Sequence, residues 1–210
     1  MKIFALTCVL ALGRAHICNI SPRQRGDFNI STPGDPSCYR RTPYCGGVPA
    51  PSPLVSSGVY VAGQPAVIQF QQNLNHWYVP NPGFLDISVA HSASPSEGDF
   101  TTLARLEDFA GFEMVQSTVF DVRVVMPDKP CDHCILRTRY VSHNTDEIDP
   151  KNNTDSVFYN CADVSIISGQ SGEAPARAHT QAVVAVAVDA AAVDAAAAVD
   201  AAACATPEMW

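Results

Sequence analysis

The chain has 210 residues and a formal net charge of −8, from 13 basic and 21 acidic residues, and 47% of its residues are hydrophobic. That length accommodates one domain with a substantial core together with a tail. The negative charge argues against nucleic acid and against an anionic membrane surface as partners. It suits a protein that acts outside the cell on a neutral polymer.

The first residues predict export. Lys2 supplies a basic start, residues 3–12 form an apolar run, and Gly13 and Ala15 place small residues ahead of a cleavage site. The run is too short to span a bilayer, so a signal peptide is favoured over a membrane anchor. We therefore predict a secreted, extracellular protein whose first residue after cleavage is His16.

Three parts of the chain differ in composition. We predict a signal peptide at residues 1–15, one domain at residues 16–170 and a low-complexity tail at residues 171–210. The tail repeats Val-Asp pairs within alanine, and its aspartates make it a poor membrane span. We expect it to be a flexible linker or stalk.

Cysteines and asparagines add to the prediction of export. Six of the eight cysteines lie in the body of the chain, and an even number in an exported domain predicts three disulfides. Six cysteines allow fifteen pairings, of which Cys38 with Cys45 is favoured because it closes a short loop. Three Asn-x-Ser/Thr triplets, at Asn19, Asn29 and Asn152, are compatible with a glycoprotein. The six cysteines are Cys18, Cys38, Cys45, Cys131, Cys134 and Cys161.

Short segments that alternate apolar and polar residues predict strands, because each such strand buries one face. Residues 16–60 are rich in loop formers, and residues 101–116 could form one short helix. Many short strands separated by turn signals predict an all-β protein with an antiparallel β-sandwich. The predicted strands are residues 59–61, 66–70, 84–89, 119–124, 134–141 and 162–166.

A histidine at a free N-terminus offers two nitrogen ligands, its α-amino group and its imidazole. Their ordinary pKa values of about 7.7–8.0 and about 6.5 let both lose a proton near neutrality. One imidazole from elsewhere completes a planar set of three nitrogens, which suits Cu(II) better than zinc. His76, which follows a predicted strand, is the best candidate to bind one copper ion with His16, and His91 and His143 are rivals. His133 lies in a single Cys-x-x-Cys, which is weak support for zinc.

Several segments, in order over residues 16–168, resemble the chitin-binding type-4 domain of lytic polysaccharide monooxygenases of the AA10 and AA15 kind. They are His16 with residues 22–25, residues 45–47, residues 60–64, residues 73–76 with residues 82–84, residues 134–140 and residues 158–164. The resemblance implies an immunoglobulin- or fibronectin III-like sandwich with long loops, stapled by disulfides. It also implies that His16 and His76 hold copper and that Phe158 occupies the axial position, Tyr159 being the less favoured choice by register.

The resemblance further implies an enzyme that oxidatively cleaves glycosidic bonds of chitin or, less favoured, cellulose. Such an enzyme uses copper with O₂ or H₂O₂ and takes electrons from an external donor, and we expect it to be a monomer. Trp77, Tyr39 and Tyr44 lie in loops from which they could stack on sugar rings, although packing beneath those loops is an equal alternative.

Departures from the family pattern keep other functions open. Residues 141–147 lack the Gly-Asn-x-Trp turn of many relatives, although Asn144, Asp146 and Glu147 are candidates for a polar group beside the metal. One alternative is a copper-binding protein with the same two histidines but no polysaccharide oxidation. Another is a chitin-binding module without metal.

Overall fold

The computed structural model of the protein describes residues 16–108, 117–145 and 156–169. The predicted signal peptide and tail lie outside these ranges. Eight strands occur within them, in two sheets, and the one helix is a 3₁₀ turn at Glu97–Asp99. Among the described residues, no helix has the length and apolar character needed to cross a bilayer.

The two sheets form a sandwich. The three-stranded sheet has the order β1-β3-β6, and the five-stranded sheet has the order β2-β8-β7-β4-β5. All neighbours are antiparallel except β2 and β8, which run parallel. The strands are β1 His16–Ser21, β2 Gly58–Val61, β3 Pro65–Leu74, β4 Phe84–Ala90, β5 Phe100–Glu107, β6 Thr118–Val125, β7 Cys131–Val141 and β8 Val157–Ile167. The predicted all-β sandwich is confirmed.

The core lies between the sheets and is filled by every second residue of the facing strands. In β3 and β6, Ile68, Phe70, Phe120 and Val122 are buried, and the rings of Phe70 and Phe120 stack with their centroids 5.1 Å apart. All six predicted strands are present. The alternation that predicted them is the same alternation that places one face of each strand in the core.

Two predictions of secondary structure were wrong. Residues 101–107 form β5 rather than a helix, with Ala104 and Leu106 buried and Arg105 exposed between them. The remaining part of that predicted helix, residues 109–116, lies outside the described residues. Residues 16–21 were expected to be loop but form β1, which is held by its ladder with β3.

Three disulfides are present among the described residues, Cys18–Cys38, Cys45–Cys161 and Cys131–Cys134. The predicted Cys38–Cys45 pair is therefore wrong. The long loop between β1 and β2 crosses from one sheet to the other. Its two cysteines consequently bond to different sheets, one to β1 and the other to β8.

Candidate metal centre

Strand register brings the two predicted metal ligands to the same end of the sandwich. His16 begins β1 and lies opposite Leu74, the last residue of the antiparallel strand β3. His76 follows two residues later, in the loop between β3 and β4. Both histidines are buried, with exposed fractions of 1% and 8%.

A row of aromatic rings links the two histidines. The His16 and Tyr39 ring centroids are 5.0 Å apart, those of Tyr39 and Phe158 are 5.6 Å apart, and those of Phe158 and His76 are 6.4 Å apart. Phe158 is fully buried on the core face of β8. Tyr159, the alternative axial residue, packs with Val141, Val157 and Phe84 in a separate cluster.

The backbone beside His16 is held on both sides. The N–H of Ile17 donates to the Cys38 carbonyl at 3.0 Å, and the Asn160 side chain donates to the Ile17 carbonyl. The Cys18–Cys38 disulfide lies two residues further along β1. A chain terminus is ordinarily mobile unless it is tied down. Cleavage before His16 would therefore leave a first residue that is already anchored.

The donor set fits copper with one local rearrangement. A metal held by the amine and imidazole of the same residue must bind Nδ1, because only that nitrogen closes a small ring with the amine. Nδ1 of His16 lies 2.8 Å from the Asp35 carbonyl oxygen, so copper binding requires this hydrogen bond to be exchanged for the metal. The described residues contain no cluster of three or more His, Cys, Asp or Glu side chains suited to a metal. The predicted site has two such side chains and completes its three nitrogens with the amine.

The backbone of His76 contacts a buried polar group that the sequence analysis did not identify. Tyr140 accepts the His76 N–H through its hydroxyl oxygen at 3.1 Å and donates to Asp108 at 2.7 Å. Burial raises the pKa of Tyr140 far above its usual value, and the Asp108 charge adds to the shift. The phenol therefore stays protonated and keeps its hydrogen to donate.

The three aromatic residues that were predicted to stack on sugar lie in different surroundings. Trp77 is half-buried and adjoins His76, and Tyr39 is half-buried between His16 and Phe158. Tyr44 is 36% exposed and packs against Phe100, with ring centroids 6.5 Å apart. Tyr44 thus lies over β5 of the five-stranded sheet, without a described ring contact to either histidine.

The other histidines that were considered as metal ligands have different surroundings. His91 follows the end of β4 remote from the His76 loop, and burial, followed by the charge of Lys129, lowers its pKa. Nδ1 of His143 lies 3.2 Å from the Pro82 carbonyl oxygen, and its ring is nearly perpendicular to that of Phe84, with centroids 5.9 Å apart. His133 is exposed between two cysteines that are bonded to each other, so no thiolate is present there for zinc.

The candidates for a polar group beside the metal remain predictions. Asn144 is half-buried, and its N–H donates to Ser142 Oγ at 3.3 Å. Asp146 and Glu147 lie outside the described residues, as does His179 in the tail.

No protein-family model matches this chain, and no curated protein matches it. Its structure is similar to that of the AA15 lytic polysaccharide monooxygenase from Thermobia domestica in the Cu(I) state, with 16% identity and a TM-score of 0.50 over 73% of this chain and 99% of that one. The AA10 lytic polysaccharide monooxygenase from Streptomyces lividans has 13% identity and a TM-score of 0.45 over 72% and 100% of the chains. A polysaccharide monooxygenase described as CBM33 has 12% identity and a TM-score of 0.46 over 72% and 100%. The chain therefore has a β-sandwich fold like that of the AA15 lytic polysaccharide monooxygenase.

Proposed function

We propose that the chain, once cleaved before His16, is a secreted copper-dependent monooxygenase that oxidatively cleaves glycosidic bonds of chitin or a related β-1,4-linked polysaccharide. The observation that carries this proposal is the strand register that sets His16 opposite the end of β3, two residues before His76. An N-terminal amine, its own imidazole and the facing imidazole would then hold one copper ion. The three disulfides agree with an oxidising compartment outside the cell.

Each residue of the proposed site has a distinct task. His16 and His76 bind the metal, and bound copper supplies one-electron redox chemistry with an oxygen co-substrate and an external electron donor. Phe158 would close the inner side of the site with an aromatic ring that offers the metal no ligand atom. Tyr39 packs between Phe158 and His16 and limits the positions that the His16 ring can adopt.

Contact with the polymer is assigned to the loop that carries His76. Trp77 is half-buried in this loop, and Val79 is 64% exposed, so the loop offers apolar surface beside the metal. An acidic protein meets no electrostatic attraction or repulsion from an uncharged polysaccharide, so apolar contact is the expected source of binding. Trp77 is the proposed sugar-contacting residue of this loop, and Tyr39 and Tyr44, in the loop between β1 and β2, are the other proposed sugar-contacting residues.

The test uses the chain that begins at His16, loaded with copper and incubated with a reductant and either β-chitin or cellulose. We expect oxidised oligosaccharides by mass spectrometry, and we expect none from His76→Ala. His133→Ala is the matched control, since it removes an exposed histidine that lies between bonded cysteines. Tight copper binding without oxidised product from any polymer would reject the enzyme.

One observation favours a second function, copper binding without polysaccharide oxidation. His76 is more than nine-tenths buried, whereas a polymer-oxidising centre needs its metal open to a solid surface. Copper uptake or storage requires only the ligands. Absence of product together with undiminished copper affinity would support this function.

A further inference from the structure

We propose that Tyr140 and Asp108 are positioning residues for the metal centre, which together hold the loop bearing His76. This inference rests on the proposed copper site. The loop comprises residues 75–83, between the end of β3 and the start of β4.

Tyr140 contacts His76 from below the loop. It is fully buried in β7, and its hydroxyl oxygen accepts the His76 N–H at 3.1 Å. The hydroxyl has one proton, which can be shared between Asp108 Oδ2 at 2.7 Å and Asn75 Oδ1 at 3.0 Å. The shorter contact is to the carboxylate, where a charge-assisted hydrogen bond is stronger. The hydroxyl therefore has a defined direction, with its lone pair left for the His76 amide.

Asn75 extends the same network to the residue after His76. Its amide group donates to Asp108 Oδ1 at 3.2 Å, and its Oδ1 accepts the Trp77 N–H at 2.6 Å. Three consecutive residues at the start of the loop are thus connected to one buried carboxylate. Asp108 itself has an exposed fraction of 6%.

Asp108 also holds the other end of the loop. Its backbone N–H donates to the Gly83 carbonyl at 2.9 Å. Asp108 is therefore hydrogen-bonded to both ends of the loop. Its side chain bonds to the first residue of the loop, and its backbone N–H bonds to the last. The Tyr140 and Phe158 ring centroids are 5.9 Å apart, so the same tyrosine also packs beside the aromatic residue of the proposed site.

The energetic consequence is specific to this arrangement. Removing the hydroxyl takes away the acceptor of the His76 N–H and one donor to a buried carboxylate, and buried polar groups that lose partners are costly. The loop then shifts to recover those hydrogen bonds. Partners that orient a metal ligand typically contribute 10- to 100-fold to metal affinity.

The test compares Tyr140→Phe with Tyr60→Phe in the chain that begins at His16. Tyr60 is half-buried, packs against the same core and lies in β2, away from the loop. We expect Tyr140→Phe to weaken Cu(II) affinity roughly 10- to 100-fold and to alter the Cu(II) electron paramagnetic resonance spectrum. In the metal-free protein we expect faster hydrogen exchange at the His76 amide. Tyr60→Phe should change none of these.

Wild-type copper affinity, spectrum and His76 exchange in Tyr140→Phe would overturn the proposal. If Tyr140→Phe does not fold, Asp108→Asn decides, because it keeps an oxygen acceptor but removes the charge. Asp108→Asn should weaken Cu(II) affinity by less than the roughly 10- to 100-fold expected of Tyr140→Phe. Unchanged Cu(II) affinity in Asp108→Asn would overturn the proposal. If the wild-type chain fails to bind copper, the proposed function fails, while His76 amide exchange still decides whether Tyr140 positions the loop.

Discussion

Two asparagines in glycosylation triplets lie in opposite surroundings. Asn19 is fully buried in β1, and its Oδ1 accepts the Thr138 hydroxyl between the sheets. Asn29 is exposed, and its Oδ1 accepts the Ser31 N–H at 3.0 Å within the triplet itself. A glycan on Asn19 would have to replace core packing, whereas one on Asn29 would extend into solvent.

We therefore predict that a chain exported by a eukaryotic cell carries a glycan on Asn29 and none on Asn19. Glycopeptide mass spectrometry checks both positions in one digest. Asn29→Gln should lose the glycan and cost at most about 1 kcal/mol of stability, because the hydrogen bonds of its side chain to Asp35 and Ser31 are exposed to solvent. An occupied Asn19 in the folded, secreted protein would contradict the prediction.

Gly83, at the end of the loop 75–83, has no room for a side chain. A Cβ at this position would lie 1.8 Å from the Val141 carbonyl oxygen, which is a backbone atom of the neighbouring strand. We predict that Gly83→Ala lowers the free energy of unfolding by about 1–3 kcal/mol, as overpacking typically does. Chemical denaturation measures the loss. Gly98→Ala is the control, since a Cβ there meets no atom within 4 Å, and equal stability of the two variants would reject the prediction.

At the scale of strands and loops, the disulfides differ most in the length of chain that they close. Cys45–Cys161 spans 116 residues and joins the β1–β2 loop to β8. Cys131–Cys134 spans 3 residues within β7. Because a disulfide stabilises largely by restricting the unfolded chain, the longer closure should contribute more.

We predict that the double alanine variant of Cys45 and Cys161 loses about 5 kcal/mol of stability, and that of Cys131 and Cys134 about 2 kcal/mol. Cys45 and Cys161 are both buried, whereas only Cys134 of the other pair is, so lost packing acts in the same direction as loop closure. Denaturant midpoints of the two variants provide the comparison. A larger loss for the Cys131 and Cys134 variant would show that loop closure does not dominate.

The strands that could be predicted are those whose pattern is local. Alternation at residues 84–89 or 119–124 is visible in the sequence and identifies β4 and β6. In β5, Leu103 and Leu106 are spaced as on a helix, and pairing with β4 outweighs that spacing. β1 lies at the start of a segment rich in loop formers. It is a strand because it pairs with β3, and no local sequence pattern predicts that pairing.

Some residues of the candidate site could likewise be predicted from the sequence, and others could not. His16, His76 and Phe158 were named from the cleavage position and the family resemblance, and their roles stay predictions. The contact of Tyr140 with Asp108 joins positions 32 residues apart, and that with His76 joins positions 64 apart. Neither has a sequence signal beyond a polar group in an apolar strand, so only the fold reveals them.

For the whole molecule, the described sandwich already contains a continuous core. Residues of seven strands, all except β2, contribute fully or nearly buried side chains to one cluster. We predict that a chain ending at residue 169 keeps the thermal unfolding midpoint of the full chain. A decrease of more than about 1 kcal/mol in the free energy of unfolding would be too large for removal of an independent surface segment. Such a decrease would show that residues 170–210 pack on the sandwich.

The position of the first residue matters to the whole molecule, because the ladder of one sheet and the loop tied to both sheets meet at His16. We compare the chain that begins at His16 with one that begins at Ala15. Both should have the same unfolding midpoint without metal, since the anchors of the Ile17 backbone and the Cys18–Cys38 disulfide are present in each. In the longer chain the α-nitrogen of His16 is part of the peptide bond to Ala15, so the free amine is lost as a metal ligand. We predict that its Cu(II) affinity falls by more than the roughly 10- to 100-fold typical of a lost supporting residue. Calorimetric titration with copper at neutral pH measures the difference, and equal affinities would show that the amine takes no part in binding.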